Sequence, residues 1–484
     1  MALGAVDYGL MGLIGGLSAF ISFFNSLMAT AVGRFFAFSI GAAEGKGDEG
    51  IEECRQWFNV ALLIHTIVPF CLLAIGYPTG VWAINNFLTI PADRITDCIW
   101  VWRFVCISCF LSMVSVPFNA IYVAKQYIAE LTIYTIVTVT INAMFLYYMV
   151  SHPGQWLVKL SLWSCLLAIL PQMLIATRAL WLFPECRVVP RYMVCRSKIK
   201  EISAYAFYRF FGALGVMIRR QGIDVLVNKV LGPAKNAAVN VGGTVSGHSN
   251  SLSGAFLTAL SPAITTAYGA GDYQRFKKMS LSACKIASTM ILIFAIPLFI
   301  EADEVFRLWL VNPPEGCVII CIGLLATLVI ENMSCGYYMA IYAQGDIKGS
   351  QIWYLIASIA AIPSAWFFML KGFGVASVAY GLVFSYVFIL VVRMYYARKV
   401  CAFSVGKWIK CIALPVIGCS AVAFSVAIVP TLLMAPSLLR IVVTTIVVNA
   451  IFLPLCWFLL FEEEERVIVL SKIRPMFRLV WKNA

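Results

Sequence analysis

Apolar runs of roughly 20–30 residues, without the alternation of a half-buried strand, follow one another along almost the whole chain. They predict membrane-spanning helices near 7–41, 57–83, 97–123, 128–150, 156–182, 200–229, 235–268, 277–300, 317–343, 350–370, 375–397, 407–430 and 438–461. The breaks carry turn-forming residues, as at Gly45-Lys46-Gly47-Asp48, His152-Pro153-Gly154 and Asn312-Pro313-Pro314. Inside hydrocarbon every backbone polar group must be satisfied within the structure, which leaves helices or closed barrels. The run length selects helices, so the pattern predicts an all-α polytopic membrane protein of about thirteen transmembrane segments.

Composition agrees. Hydrophobic residues fill 62% of the 484 positions and charged residues 12%, about half the charged share of a soluble domain. The sixteen cysteines lie mostly inside apolar runs, with no CxxC and no Cys/His metal spacing, and read as small buried hydrophobes. A net charge of +13 could suit nucleic acid, but its placement does not. Most of the 36 Lys and Arg fall in alternate loops and the C-terminal tail, whereas the opposite loops hold only Arg94, Lys229, Lys235, Arg307, Lys371 and Arg440. By the positive-inside rule the C-terminus is cytoplasmic and, with an odd count, the N-terminus lies outside. No basic leader or small-residue cleavage site opens the chain. Residues 462–484 begin with Glu462–Glu465 and continue as mixed apolar and basic positions, a cytoplasmic amphipathic tail suited to anionic lipid.

The sequence resembles itself at an offset near 220–228. Leu3-Gly4 matches Leu231-Gly232, Gly15-Gly16 matches Gly242-Gly243, and Ser26-Leu27 matches Ser251-Leu252. Gly47-Asp48 recurs as Gly271-Asp272, Ala120-Ile121-Tyr122 as Ala340-Ile341-Tyr342, and Gly154 and Arg178 as Gly374 and Arg398. The offset spans six helices, an even number, so both copies enter the membrane in the same direction, as in parallel-repeat transporters. The division expected is an N-lobe over 1–182 with five helices, a basic cytoplasmic linker over 183–199, and a six-helix C-lobe over 200–400. Two additional helices over 401–461 and the tail follow. The 200–229 helix has no partner in the first half, since its counterpart would precede Met1.

An ionisable side chain at the centre of a span costs about 2.5–3.5 kcal/mol on insertion scales, so each needs a reason. Arg34, His65, Arg103, Arg209, Arg219, Arg220, Asp224, Lys285 and Glu331 all fall inside predicted helices. Asp224 and Glu331 are the only carboxylates placed well inside. Arg220 and Asp224 stand four apart, spacing that permits an ion pair. Arg34, Arg209 and Arg219 have no such local partner and either snorkel to an interface or line a cationic cavity for an anionic ligand. Asn240, Thr244, His248 and Ser251 recur at helical spacing beside Asn250 and suggest a wet interior. Gly242, Gly243, Gly247 and Gly254 suggest close helix packing on the same segment. His248 serves either a structural hydrogen bond or proton coupling. No P-loop, zinc motif or GxSxG is present, and the predicted external loops are short, so no enzyme is expected.

Several stretches resemble the O-antigen flippases (Wzx-type), polysaccharide exporters of the multidrug/oligosaccharidyl-lipid/polysaccharide (MOP) superfamily. The opening Leu3-Gly4-Ala5-Val6-Asp7-Tyr8-Gly9-Leu10, leading to Arg34, is similar to the entry of their second helix. Gln221-Gly222-Ile223-Asp224-Val225-Leu226-Val227-Asn228 resembles their seventh helix. Leu260-Ser261-Pro262-Ala263 through Tyr268-Gly269-Ala270-Gly271-Asp272 resembles the end of their eighth. Pro117-Phe118-Asn119-Ala120 with Ala124-Lys125-Gln126 resembles the close of their fourth. The family carries fourteen helices, so the resemblance, like the repeat, places the absent helix first.

The resemblance implies two lobes around a central cavity and translocation of an undecaprenyl-pyrophosphate-type lipid-linked oligosaccharide across the bacterial cytoplasmic (inner) membrane. In that reading Arg34, Arg209, Arg219 and Arg220 attract pyrophosphate, while Asn240, His248 and Asn250 meet sugar or water. No cofactor and no nucleic acid are expected. Membrane lipids, other polysaccharide assembly proteins and a monomeric state are. The rival within the superfamily is a cation-coupled multidrug exporter, which needs cavity carboxylates. A membrane-bound glycan-assembly transferase is the rival from another class.

Overall fold

The computed structural model describes residues 4–467 except 89, 153, 155 and 311, and only the backbone of 4–9, 12, 13, 15–22, 24, 233 and 234. The tail expected beyond Val467 lies outside the described residues. Helices follow one another in the order α1 (Gly4–Ala42), α2 (Asp48–Asn86), α3 (Ile95–Val114), α4 (Val116–Ala124), α5 (Ile128–Ser151) and α6 (Leu157–Leu182). A short α7 (Pro190–Met193) precedes α8 (Arg196–Leu231), α9 (Pro233–Gly269), α10 (Tyr273–Trp309), α11 (Cys317–Met333) and α12 (Cys335–Gln344). Then come α13 (Lys348–Ile359), α14 (Ala361–Leu370), α15 (Ala376–Cys401), α16 (Val405–Trp408), α17 (Leu414–Leu433) and α18 (Leu438–Leu459). No strand occurs among the described residues.

Nine of these segments are long and apolar enough to cross a membrane, and the bent pair α11–α12 makes a tenth. The long helices α1, α8 and α9, of 39, 36 and 37 residues, stand where the pattern predicts three more. The chain is an all-α, multi-pass membrane protein.

Three predicted helices are broken. The 97–123 helix divides at Ser115, two residues before Pro117, where a ring without an N–H disrupts the ladder. The 350–370 helix divides at Ala360, ahead of Pro363. The 317–343 helix bends by 50° at Ser334 with no proline to cause it. Two carbonyls at the bend, those of Glu331 and Met333, accept from side chains. Arg393 Nη1 donates to the first at 3.2 Å, and Trp408 Nε1 donates to the second at 2.7 Å. At its other end the pattern stops short: α2 begins at Asp48 rather than 57, because its first turns carry Asp48, Glu49, Glu52 and Glu53 instead of apolar residues.

Two compact units are present, Met1–Phe207 with Thr265–Asp272, and Tyr208–Ile264 with Tyr273–Ala484. Each repeats the same order of parts. A helix of 39 residues (α1) is followed by another of 39 (α2) in the first half, and two of 37 (α9, α10) stand in those places in the second. Next comes a span broken at a serine, Ser115 or Ser334, and the series closes on 26-residue helices α6 and α15.

In the first unit Trp102 lies buried among Leu10, Ile14, Ile84 and Leu157, and its indole N–H donates to Tyr77 O at 3.2 Å. Gly80 is required beneath it, since a Cβ there would come within 2.3 Å of the Trp102 ring. In the second unit α17 and α18 pack on α10. That contact holds a buried ion pair, Glu301 in α10 with Arg440 in α18 at 2.8 Å, and Thr444 donates to the second carboxylate oxygen at 2.9 Å. Asp224 and Glu331 are therefore not the only deep carboxylates. Because α10 runs to Trp309 rather than 300, Glu301 lies within it, 1% exposed.

Just past α18, Glu462 and Glu465 accept from the buried Lys285 of α10 at 3.0 and 2.9 Å, and Glu465 also accepts from Ser282. Lys285, left unexplained by the sequence, fastens the chain after α18 to the second unit.

Candidate functional site

The second unit gathers cations and phenols around the broken span. Helix α8 brings two of the arginines there. It lies close on α13 and α14 through glycines: a Cβ on Gly212 would fall 1.9 Å from Gln351 Oε1, and one on Gly215 would fall 2.9 Å from Leu355 Cα. Small residues let membrane helices approach in this way. On α12, Tyr338 and Tyr342 stand one turn apart with ring centroids 4.2 Å apart. On α15, Tyr386 and Arg393 are seven residues apart and share a face.

Arg209 Nη1 donates to the Tyr338 hydroxyl at 2.9 Å while its guanidinium lies 4.3 Å from the Tyr342 ring. Arg219 Nη2 donates to the Tyr386 hydroxyl at 3.1 Å and its guanidinium sits 4.6 Å over that ring. Arg393 lies 4.9 Å over Tyr338, so this one tyrosine joins two arginines. Gln351 donates to the Tyr342 hydroxyl, and Tyr354 lies on the same helix α13. Tyr338, Tyr342, Tyr354 and Tyr386 are all half-buried, as the walls of a cavity would be.

Among the described residues one ion pair is formed by the cluster: Glu331 Oε1 lies 3.7 Å from Arg393 Nη2. Arg393 is also tied to Ser334 Oγ at 2.7 Å. Arg219 is 8% exposed, and its Nη1 is buried without a hydrogen-bond acceptor among the described residues. A buried guanidinium holding an unused donor is costly unless something accepts from it. The chemistry on offer is fork-like, charge-assisted donation to an oxyanion, with aromatic faces to stack on.

Of the residues expected to form the site, Arg209 and Arg219 belong to this cluster. Arg34 belongs to the first unit, where its guanidinium lies 4.8 Å from the Phe35 ring, 5.0 Å from Phe38 and 5.6 Å from Tyr205. Arg220 is exposed, and no ion pair joins it to Asp224 among the described residues. Spacing of four permits such a pair, yet a long side chain that reaches the surface need not fold back for it. Asn240 and His248 are exposed on α9, and His248 makes no hydrogen bond among the described residues. Asn250 is used structurally: the Asn332 amide donates to it at 3.4 Å, and Ser253 donates to Asn332.

Sequence reasoning missed Arg393, because its place near the end of α15 counted it with the basic loop. Burial at 5% exposure, and a helix that continues to Cys401, show it well inside α15. It missed the tyrosines too, although Tyr338 and Tyr342 at i,i+4 were a readable signal. A separate cavity of about 370 Å³ is lined by Asp303, Arg307, Glu315 and Ile322. Lys235 reaches Glu315 there at 2.6 Å and holds its carboxyl below the usual range.

Broken spans, repeated units and a polar cluster within one unit are the features that a comparison of folds has to account for. No family model and no curated protein matches the chain. Solved structures do. A multidrug resistance MATE family transporter of the MOP superfamily, in an outward-facing conformation, is similar at TM-score 0.64 and 16% identity, over 83% of this chain and 90% of that one. A MATE in the straight conformation gives 0.66 and 17%, over 83% and 89%. A MOP superfamily transporter from Pyrococcus furiosus, described by the reverse polarity of its binding pocket, gives 0.65 and 16%, over 83% and 91%. The chain has the two-lobe fold of these exporters.

Proposed function

We propose that the protein is a flippase that moves a polyprenyl-pyrophosphate-linked oligosaccharide across the cytoplasmic membrane by alternating access. The observation that carries this reading is the gathering of Arg209, Arg219 and Arg393 about half-buried tyrosines, with Glu331 the one carboxylate paired to an arginine of the cluster among the described residues. A pyrophosphate needs fixed guanidinium donors in a low-dielectric site, and a glycan finds hydroxyl partners in Tyr338, Tyr342, Tyr354 and Tyr386. The prenyl chain would stay in lipid.

The same fold carries multidrug exporters, which is the rival reading. A lipophilic cation would seek tyrosine faces and carboxylates. Here the faces of Tyr338, Tyr342 and Tyr386 already carry the protein's own guanidiniums. The description of a neighbour by reversed pocket polarity is in keeping with a site whose sign varies on one fold. The deciding experiment measures binding of a short-glycan polyprenyl pyrophosphate to purified protein against a lipophilic cationic dye. Preference for the pyrophosphate lipid, weakened by Arg219→Ala, supports the flippase. Preference for the dye, indifferent to that substitution, returns the arginines to a structural role.

A further inference from the structure

We infer that Glu331 is an internal competitor that occupies the cationic site until the substrate's phosphate displaces it, and that it sets which cargo the site accepts; this rests on the flippase reading above. The geometry around Arg393 separates two duties. Its Nη1 is committed to structure, donating to Glu331 O at 3.2 Å and to Ser334 Oγ at 2.7 Å across the break between α11 and α12. Its Nη2 faces the Glu331 carboxylate at 3.7 Å, well beyond the ~2.8 Å of a formed charge-assisted bond. The pair is close enough to neutralise and too long to lock.

Glu331 is also free to leave. Its side chain is 36% exposed while that of Arg393 is 4% exposed, so of the two partners the carboxylate is the one that can turn away. Arg219, Tyr354 and Tyr386 all lie within electrostatic reach of Glu331. One carboxylate therefore moderates the field of the cluster. A phosphate oxygen arriving at Arg393 Nη2 offers the same acceptor chemistry with more charge, and takes the place of Glu331 there, while Arg219 Nη1 is a second unused donor. The backbone cap on Nη1 stays intact throughout, so the bend at Ser334 need not be lost when the ligand binds.

The competitor confers selectivity by exclusion. A neutral lipid or free glycan has no charge with which to displace the carboxylate, and the site stays closed to it. An anionic lipid must overcome Glu331, which lowers its affinity and speeds its release after transfer. Weak, reversible binding serves a transporter better than tight binding.

The test uses the full chain in detergent and farnesyl pyrophosphate as the probe, with tetraphenylphosphonium as the cationic comparison. Glu331→Gln keeps the shape and removes the charge, and should bind farnesyl pyrophosphate about two- to fivefold more tightly, the upper part of the range for a partly exposed pair. Asp303→Asn, which removes a carboxylate from the separate cavity, should bind as the wild type does. The gain from Glu331→Gln should shrink when Arg393→Gln is added, as coupling between the two requires. If Glu331→Gln does not yield folded protein, Glu331→Asp draws the carboxylate back by one methylene and should also tighten binding. Wild-type binding with no gain, or a loss, in these variants overturns the competitor and leaves the flippase reading standing. Wild-type protein that takes up only tetraphenylphosphonium overturns the flippase reading itself.

Discussion

Two arginines of this chain are buried in ways that predict opposite responses to the same substitution. Arg440 sits against Glu301, which is 1% exposed and takes two of its nitrogens at 2.8 and 3.2 Å. Arg440→Met strands that carboxylate with only Thr444, and removing one partner of a buried pair costs about 3–5 kcal/mol. Arg219 sits against a tyrosine hydroxyl, with Nη1 unused. Arg219→Met removes a poorly compensated charge, leaves no stranded carboxylate, and fills the space with an apolar chain. Its expected effect on stability is neutral to favourable, the ordinary consequence of relaxing a site kept for function. Its effect on ligand binding is the reverse. Losing charge-assisted bonds of about 1.5–3 kcal/mol weakens farnesyl pyrophosphate binding about 10- to 100-fold. Thermal unfolding of detergent-purified protein and a binding isotherm on the same samples read both effects. A fall in Tm for Arg219→Met equal to that for Arg440→Met, with binding unchanged, would show that Arg219 is structural and would sink the argument.

Three further outcomes follow from single contacts. Arg34→Ala should reduce transport of the lipid-linked glycan with folded protein still in the membrane, and unchanged flux in vesicles would remove Arg34 from the site. Gly215→Val pushes α8 off Leu355 and should cost about 1–3 kcal/mol by overpacking; both Tm and farnesyl pyrophosphate affinity should fall, because Arg219 is carried on the same helix. The attachment after α18 should be pH-dependent. Lys285 holds the Glu462 carboxyl below its ordinary range, so its contribution is complete above the usual carboxylate value of about 4.3 and is lost as pH falls through the lowered value. Protease cleavage after Phe461 should therefore rise only in acid, and Lys285→Met should make it rise at neutral pH.

Much of the fold is legible because a bilayer simplifies the rules. Every span must be helical and about as long as the hydrocarbon is thick, so hydropathy alone locates thirteen segments. What it misses are the places where apolar character stops reporting helix. The acidic first turns of α2 are helical but polar, and look like a loop. The breaks at Ser115 and Ser334 lie inside apolar runs and look like nothing. The site is legible in part. Charge inside a span exposed Arg209, Arg219 and Glu331, since insertion cost makes every such residue conspicuous. Arg393 was hidden by the uncertainty of a helix end. Arg220, Asn240 and His248 are exposed and lie outside the cluster, and sequence spacing does not say whether a side chain faces protein or surroundings. Polar residues at helical spacing define a face, but nothing in one sequence says what that face meets.

The repeat offers an internal control on what the arginines are for. Both units contain a span broken at a serine and a following 26-residue helix that reaches back to it. In the first unit that helix, α6, presents Gln172, which accepts from the Asn119 amide at 2.6 Å just past the break. In the second unit α15 presents Arg393, which caps the break itself. A neutral side chain therefore suffices to brace a broken span of this design. Bracing does not require a guanidinium, and a guanidinium inside the membrane carries an insertion cost that a glutamine largely avoids. The second unit carries that cost at position 393 and again at 209 and 219, around tyrosines whose faces are turned to hold cations. A charge that architecture does not need, placed where it is expensive and met by a single carboxylate among the described residues, is best explained by a ligand that brings negative charge with it.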